Sequence, residues 1–243
     1  MKKFQTPKRV LLKLSGEALQ WEQWYGIDPN FLSYLAKKIV YLVQKEKLEI
    51  AIVVGGGNIF RGIELEKGGF DRATGDNMGM LATMINGIAI GEAIEDAGVD
   101  VRVMSAISAH KVAEDFIQRR ALRHLQKWRV VICVGGSGNP FFSTDSAAVL
   151  RALELQCDAV VKATKVDGIY DKDPKKHSDA VRYEILSLEG AIQKNVRVMD
   201  QAAIALAHDE CMPIYVCRIE DVDKINTEEI VGTYVCTAKY QKK

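Results

Sequence analysis

The segment at residues 130–155 constrains the fold of this chain more than any other. An apolar run at 130–134 leads into the glycine-rich turn Gly135-Gly-Ser-Gly138, and a helical stretch follows at 145–155. Glycines let backbone N–H groups approach a ligand, and a helix start adds unpaired donors and a positive dipole end. Two more apolar runs end in similar turns, Ser15-Gly16 and Gly55-Gly-Gly-Asn58. Three such turns predict a protein that binds several phosphates at once.

Short apolar runs alternate with helical stretches along the chain. The runs are mostly continuous, which is typical of parallel strands covered on both faces. We predict strands at 10–14, 50–54, 101–104, 130–134, 159–162 and 214–217. We predict helices at 29–46, 76–97, 111–128, 145–155, 188–193 and 200–208. This order indicates an α/β fold in which a mainly parallel central sheet carries helices on both faces, and ligands bind at the carboxyl ends of its strands.

Composition limits the classes of function. The chain has 243 residues, which we interpret as one domain spanning 1–243, and 33 basic against 32 acidic side chains. This balance argues against broad binding of nucleic acid or membrane surfaces. The five cysteines are scattered without a C-x-x-C pair, which is typical of thiols in a reducing compartment. With no membrane span and no signal peptide recognised, we expect a cytoplasmic protein.

The familiar nucleotide motifs are absent from the sequence. Neither G-x-x-x-x-G-K-[ST] nor G-x-G-x-x-G occurs, so a Walker-type NTPase and a dinucleotide site are not expected. The signatures of the protein kinases are missing as well. The four histidines show no metal-ligand spacing. Any phosphate chemistry must therefore use another arrangement of glycines and charges.

Lys13 is the strongest catalytic candidate. It interrupts the first apolar run two residues before Ser15-Gly16, and a buried ammonium requires a partner. A cation above this turn would touch a phosphoryl group as it moves, and phosphoryl transfer depends mainly on alignment and charge neutralisation. The structural alternative is a lysine at an exposed strand end.

Three further candidates each have a structural alternative. Arg61 follows the triple-glycine turn, where a guanidinium suits bidentate phosphate binding, or it is a surface arginine. Asp76 lies at a predicted helix start, where it caps the helix or accepts hydrogen bonds from sugar hydroxyls. Asp145 likewise caps its helix or orders Lys13 and a metal-bound phosphate. The aromatic loop Trp21-Glu-Gln-Trp-Tyr25 indicates packing or a subunit contact.

Five motifs carry a resemblance to a known family. They are Lys13-Leu-Ser-Gly-Glu-Ala-Leu19, Val54-Gly-Gly-Gly-Asn-Ile-Phe-Arg-Gly62, Asp76 with Met78-Gly-Met-Leu-Ala82, Gly138-Asn-Pro-Phe-Phe-Ser-Thr-Asp145 and Lys162-Ala-Thr-Lys-Val-Asp-Gly168. In this order, and over about residues 9–233, they resemble the bacterial uridylate kinases of the amino acid kinase superfamily. The motif at 138–145 is specific to that branch, whereas a G-G-G-N turn alone would be a weak signal.

The resemblance implies a three-layer α/β/α fold, a homohexamer, and phosphorylation of UMP to UDP by ATP with Mg²⁺ in pyrimidine nucleotide synthesis. It implies catalytic roles for Lys13, Arg61 and Asp145, with no protein metal ligand. The residues expected to bind ATP are Lys13, Leu14, Ser15, Gly16, Gly57, Arg61, Thr164, Tyr170 and Asp173. Those expected to bind UMP are Gly56, Asp76, Ser137, Gly138, Asn139, Pro140, Phe141, Phe142, Ser143 and Thr144.

The sequence differs from the family pattern at one loop, and two alternative functions remain open. The aromatic loop at 21–25 replaces a glycine-rich stretch that many relatives have in the region linked to GTP activation, which leaves activation by GTP open. Inhibition by UTP at the UMP site is still expected. The first alternative function is another superfamily kinase acting on a carboxylate or carbamate, such as acetylglutamate or aspartate. The second is a non-catalytic regulator or storage protein that binds nucleotides or oxyanions.

Overall fold

The computed structural model describes residues 7–21, 23–60, 69–174, 176–193, 196, 198–225 and 231–237. Within them the strands are β1 Arg9–Leu14, β2 Glu49–Val54, β3 Val101–Ser105, β4 Glu114–Asp115, β5 Val130–Val134, β6 Ala159–Thr164, β7 Ile169–Tyr170, β8 Arg182–Tyr183, β9 Ile185–Ser187, β10 Ile214–Arg218 and β11 Thr233–Cys236. The α-helices are α1 Pro29–Gln44, α2 Arg72–Asp96, α3 Gln118–Leu125, α4 Thr144–Glu154, α5 Leu188–Gln193 and α6 Gln201–Asp209. Two 3₁₀ helices lie at Gly16–Gln20 and Ile219–Lys224.

Nine of these described strands form one sheet in the order β4-β3-β5-β2-β1-β6-β10-β11-β9. Every pairing in it is parallel except that of β10 with β11. The strands β7 and β8 form a separate antiparallel hairpin. The predicted mainly parallel sheet is therefore confirmed. Because β1 lies between β2 and β6, the carboxyl ends of all three meet at one place on the sheet edge.

Side chains of β1 alternate between two hydrophobic cores, one on each face of the sheet. Val10, Leu12 and Leu14 pack with α1 and α2 on one face, whereas Leu11 packs on the other face with α3, α4, α5 and α6. Nearly all of these side chains are fully buried, as expected for strands covered on both sides. This arrangement confirms the three layers expected from the resemblance.

Two predicted helices differ from those in the structure. The helix expected at 76–97 begins earlier, at Arg72, because the side chain of Asp71 accepts a hydrogen bond from Thr74 N at 3.1 Å and caps the helix there. The helix expected at 111–128 is shorter, because Glu114 and Asp115 pair with β3 as an edge strand before α3 begins. The prediction at 188–193 is correct, and the other helices differ by one or two residues.

Several short strands were not predicted. β4, β7, β8, β9 and β11 have two to four residues each, and most contain polar or charged side chains. Their extended backbone depends on pairing with a neighbour rather than on an apolar pattern. None of the helices described is long and apolar enough to cross a membrane.

Candidate active site at the carboxyl ends of the parallel strands

The turns after β1 and β2 are in direct contact. Gly55 N donates a hydrogen bond to Leu14 O at 3.0 Å. A Cβ on Gly16 would lie 2.6 Å from Gly55 O and 2.7 Å from Gly57 N, which leaves no room for a side chain. Glycine at position 16 therefore lets the two turns pack together. The turn after β5 reaches the same place, since a Cβ on Gly55 would lie 3.5 Å from Thr144 Oγ1.

Lys13 is a buried cation with a carboxylate partner. The residue is 9% exposed, so the alternative of an exposed strand end is wrong. Its Nζ lies 2.8 Å from Asp145 Oδ1 in the first turn of α4. Asp145 does not cap that helix, because Ser143 Oγ accepts the hydrogen bonds from the backbone N–H groups of Asp145 and Ser146. The prediction that Asp145 orders Lys13 agrees with this geometry.

A second lysine completes the charged cluster. Lys162 on β6 is the register partner of Lys13 on β1. Its Nζ lies 3.1 Å from Asp145 Oδ2 and donates to Val198 O at 2.7 Å. One carboxylate thus links two ammonium groups at the carboxyl ends of adjacent strands. We did not assign Lys162 a role from the sequence, although it is a charged residue in a strand, as Lys13 is.

Burial and charge act against each other in this cluster. Burial favours a raised pKa for the Asp145 carboxyl, but the charges of Lys13 and Lys162 outweigh it and lower that pKa below its usual value. Burial also lowers the pKa of the Lys162 ammonium, Asp145 opposes this effect, and the nearby Lys13 adds to it. The cluster carries two positive charges and one negative charge when all three groups are ionised. Two lysine cations side by side suit a phosphate ligand, while the Asp200 carboxylate also acts on Lys162 and offsets part of the positive charge.

The Asp145 pKa predicts a pH-dependent stability difference. A carboxyl whose pKa is lowered on folding stabilises the fold above its unfolded pKa of about 3.9, and this contribution is lost as pH falls through the folded pKa. We expect Asp145→Asn to lower the free energy of unfolding by about 3–5 kcal/mol near pH 7, because two lysines lose their partner. The difference from wild type should shrink below about pH 4. Urea unfolding between about pH 3 and 7 measures it, and a difference constant over that range would contradict the assignment.

Asp200 is another residue that we did not identify from the sequence. It caps α6, where Oδ1 accepts from Ala203 N at 2.9 Å. Its carboxylate also accepts hydrogen bonds from Ser143 Oγ and from Ser146 Oγ, the latter at 3.1 and 3.2 Å. Asp200 therefore joins the starts of α4 and α6 beside Asp145. In a sequence, an aspartate before a helix usually indicates only a helix cap. The contact of Asp200 with Ser143 and Ser146 could therefore not be predicted.

The turn after β5 is held to α2 by Asp76. Phe141 N donates to Asp76 Oδ2 at 2.7 Å, and Arg72 lies 3.8 Å from the same oxygen and over the Phe141 ring. The interpretation of Asp76 as a helix cap is wrong, because α2 begins four residues earlier. Phe141 has a φ of 73° and, like Phe142, is more than half exposed. An exposed, strained aromatic loop beside a carboxylate is typical of a ligand-binding turn.

The remaining UMP candidates lie in or against that turn. Ser137 Oγ donates to Asn139 O at 3.0 Å and accepts from Asn139 N, and Gly138 has a φ of 83°. Gly56 packs against α2, since a Cβ there would lie 2.7 Å from Gly79 O. Asp76 and Gly56 thus lie on and against α2, and Asp76 contacts the loop that holds the other residues expected to bind UMP, which are Ser137, Gly138, Asn139, Pro140, Phe141, Phe142, Ser143 and Thr144.

The residues expected near adenine lie at the end of β6 and in the segment that follows it. Thr164 ends β6, and its Oγ1 donates to Val166 O at 2.9 Å. Tyr170 donates to Asp167 Oδ1 at 2.9 Å, and burial together with the Asp167 carboxylate raises the pKa of Tyr170. Asp167 also lines a cavity of about 600 Å³. Asp173 follows the hairpin strand β7, 4.0 Å from Lys176 Nζ. Arg61 lies outside the described residues.

Comparisons with known proteins agree with this geometry. The profile of the amino acid kinase family matches residues 8–218. A protein named uridylate kinase from Xanthomonas campestris is 56% identical over 207 residues, which are 85% of this chain and 86% of the relative. One of the same name from Xanthomonas oryzae is 55% identical over 231 residues, 94% and 96% of the two chains.

Solved structures give the same result. UMP kinase from Bacillus anthracis superposes with a TM-score of 0.92 at 38% identity, covering 96% of this chain and 98% of that one. UMP kinase from Ureaplasma parvum has a TM-score of 0.87 at 33% identity, covering 98% and 99%. The chain therefore belongs to the amino acid kinase family, in the branch of the uridylate kinases.

Proposed function

We propose that the protein transfers the γ-phosphoryl group of ATP to UMP and produces UDP and ADP. The observation that carries this proposal is the cluster of Lys13, Asp145 and Lys162, which lies where the turns after β1, β2 and β5 meet. Two polyanions must approach each other in this reaction, and fixed cations with backbone N–H groups offset their repulsion. The acceptor is a phosphate oxygen that is already anionic, so no general base is needed.

We assign the two substrates to opposite sides of Lys13. The ATP phosphates would contact Lys13, Leu14, Ser15, Gly16, Gly57 and Arg61, and the adenosine would lie toward Thr164, Tyr170 and Asp173. UMP would lie between Gly56, Asp76 and the loop at 137–144. Asp145 would hold Lys13 and Lys162 in place. Asp76 already accepts a backbone N–H from Phe141, so its second carboxylate oxygen is the one that would accept from a ribose hydroxyl.

Mg²⁺ would enter the site with ATP. The described residues contain no group of three or more His, Cys, Asp or Glu that could hold a metal ion by themselves, so the phosphates would supply most of its ligands. Bound there, the ion would neutralise phosphate charge. Asp145 is the carboxylate of this chain at the predicted phosphate position, but it is already paired with two lysines.

A panel of acceptors tests the proposal. ADP formation from Mg·ATP should require UMP and be much slower with CMP, acetylglutamate or aspartate offered separately. Turnover with acetylglutamate or aspartate would favour a carboxylate kinase. Nucleotide binding by calorimetry without ADP formation from any acceptor would favour a regulator or storage protein. The UMP-specific result is expected, because the chain is over 50% identical to proteins named uridylate kinase.

An apolar stripe on α2 supports self-association into the proposed homohexamer. Met78, Leu81, Ile85 and Ile88 follow one face of the helix and are 38–52% exposed. Contiguous exposed apolar surface of this kind is typical of an interface. Pairing of two such helices about a two-fold axis would give dimers. A hexamer requires a second contact, for which we propose the loop with Trp24, which is 91% exposed, and Tyr25.

The stripe predicts a change of assembly in a charged variant. Leu81→Glu combined with Ile85→Glu places four carboxylates in each paired interface, so the assembly should dissociate into smaller species. Light scattering after size-exclusion chromatography measures the mass. Val112→Glu, at an exposed apolar residue away from α2, is the matched control and should keep the wild-type mass. An unchanged mass for the double variant would contradict this interface.

Three further properties belong to the same proposal. We propose that residues 1–243 form one domain, in agreement with the family match over most of the chain. We propose a cytoplasmic location, which the five unpaired cysteines support, since thiols stay reduced there. UTP would inhibit by competing with UMP. GTP remains a candidate activator. The aromatic loop at 21–25, which replaces the glycine-rich stretch of many relatives, is the feature that would change the response to GTP.

A further inference from the structure

A pair of buried amides lies directly beneath the two contacting glycine turns. Asn58 is 1% and Asn86 0% exposed, so neither side chain can touch a nucleotide. They bond each other twice: Asn58 Nδ2 donates to Asn86 Oδ1 at 2.9 Å, and Asn86 Nδ2 donates to Asn58 Oδ1 at 2.7 Å. Two antiparallel hydrogen bonds fix the orientation of both amide planes.

The second N–H of each amide reaches a backbone carbonyl. Asn86 Nδ2 donates to Gly55 O at 2.7 Å, and Asn58 Nδ2 donates to Gly26 O at 2.9 Å. The backbone carbonyl of Asn58 also accepts from Gly26 N at 3.2 Å. Every N–H of the two side chains therefore has an acceptor. A fully satisfied network of this kind is rigid, because losing one partner leaves a buried polar group without a hydrogen bond.

The amide pair also supports the turn after β1. A Cβ on Gly16 would lie 2.7 Å from Asn58 Oδ1 and 2.6 Å from Gly55 O. Asn86 holds Gly55 O. The backbone at Gly16 thus packs against Asn58 Oδ1 and against Gly55 O, which Asn86 holds. The amide pair therefore links the position of the turn after β1 to that of the turn after β2.

We propose that Asn58 and Asn86 are positioning residues for phosphoryl transfer. They fix the turn at Ser15-Gly16 relative to the turn at 55–57, so that the N–H groups of both face the same phosphates. This inference rests on the proposed function. It adds two residues that would affect the reaction only by holding the backbone of the two turns in place. In-line transfer requires close alignment, and a displacement of 1 Å can cost about 10²-fold in rate.

Two substitutions at one site test the inference. Asn86→Leu removes both N–H donors while keeping the same number of side-chain heavy atoms and the same branching, whereas Asn86→Asp keeps the shape and, when protonated, one donor. We expect kcat to fall about 10–100-fold in Asn86→Leu, with KM for ATP and UMP within about 3-fold of wild type. Asn86→Asp should retain more activity. Its kcat relative to wild type should rise as pH falls from about 8 to 6, since burial raises the pKa of the new carboxyl.

Ile39→Ala is the matched control. It removes most of a fully buried side chain in the same core and should lower the melting temperature, but Ile39 belongs to α1 and not to either turn. Its kcat, measured well below the melting temperature, should equal that of wild type. Equal kcat for Asn86→Leu and Ile39→Ala would overturn the inference while leaving the proposed function intact.

Two other outcomes are also decisive. If Asn86→Leu fails to fold, the pH dependence of Asn86→Asp takes its place, and a ratio to wild type that is flat between about pH 6 and 8 would overturn the inference. A folded wild type without UMP-dependent ADP release would overturn the proposed function and, with it, the inference. The wild-type assay therefore separates the two failures.

Discussion

Lys13→Ala is expected to lower kcat by about 10²–10³-fold, the loss typical of removing one preorganised group that stabilises transition-state charge. Lys13 Nζ lies 2.8 Å from Asp145 Oδ1, where the turns after β1, β2 and β5 meet. Its ammonium is the group that we expect to follow the phosphoryl group during transfer. Steady-state kinetics with Mg·ATP and UMP measure the effect, and KM for both substrates should change much less than kcat.

Lys38→Ala is the matched control for this loss. Lys38 is also largely shielded and pairs with a carboxylate, Asp223, at 2.6 Å, but it lies on α1, outside the site. Its removal should leave kcat within about 2-fold of wild type, because the Lys38–Asp223 pair lies outside the site. Near-normal turnover by Lys13→Ala would refute the role given to Lys13.

Gly16→Ala is expected to lower both stability and activity. The new Cβ would lie within 2.7 Å of two backbone atoms and of Asn58 Oδ1, and backbone cannot move aside as a side-chain end can. The turns after β1 and β2 must separate, which we expect to destabilise the fold by about 1–3 kcal/mol. The displaced N–H groups should lower kcat by about 10²-fold. Denaturant unfolding and steady-state kinetics measure the two effects.

Gly79→Ala makes the same chemical change with the opposite expectation. A Cβ on Gly79, within α2, would have no atom within 4 Å apart from its chain neighbours and the nearby backbone of its own helix. Alanine in a helix interior is favoured over glycine by about 0.5–1 kcal/mol, so this variant should be slightly more stable than wild type. If Gly16→Ala is as stable as Gly79→Ala, the close packing of the two turns is not a constraint on the fold.

The central strands could be predicted because their residues are apolar without interruption. In β1 the alternate side chains enter two different cores, so both faces must be apolar and the pattern is visible in the chain. The edge strand β4 consists of Glu114 and Asp115, and nothing in two acidic residues indicates a strand. The extended conformation of β4 depends on its pairing with β3. The local sequence of β4 does not show this pairing.

The site was predicted only in part for a similar physical reason. Lys13 was recognisable because a charge in a buried run needs a partner. Asp145 was expected either to cap its helix or to order Lys13, and the sequence left that choice open. The second lysine, Lys162, was not predicted, because it meets Asp145 only when β6 and α4 assemble. Asp76 was placed at a helix start because Gly75 resembles a boundary, whereas Asp71 is the actual cap. Hydrogen bonds between distant segments, such as that from Phe141 N to Asp76, have no local pattern in the sequence.

Phosphorus NMR of the protein mixed with Mg·ATP and UMP tests the central claim most directly. It identifies the products, and so separates phosphoryl transfer to UMP from simple hydrolysis of ATP. We expect UDP and ADP in equal amounts from wild type, and neither product from Lys13→Ala on the same time scale. Formation of ADP and inorganic phosphate without UDP would contradict this claim.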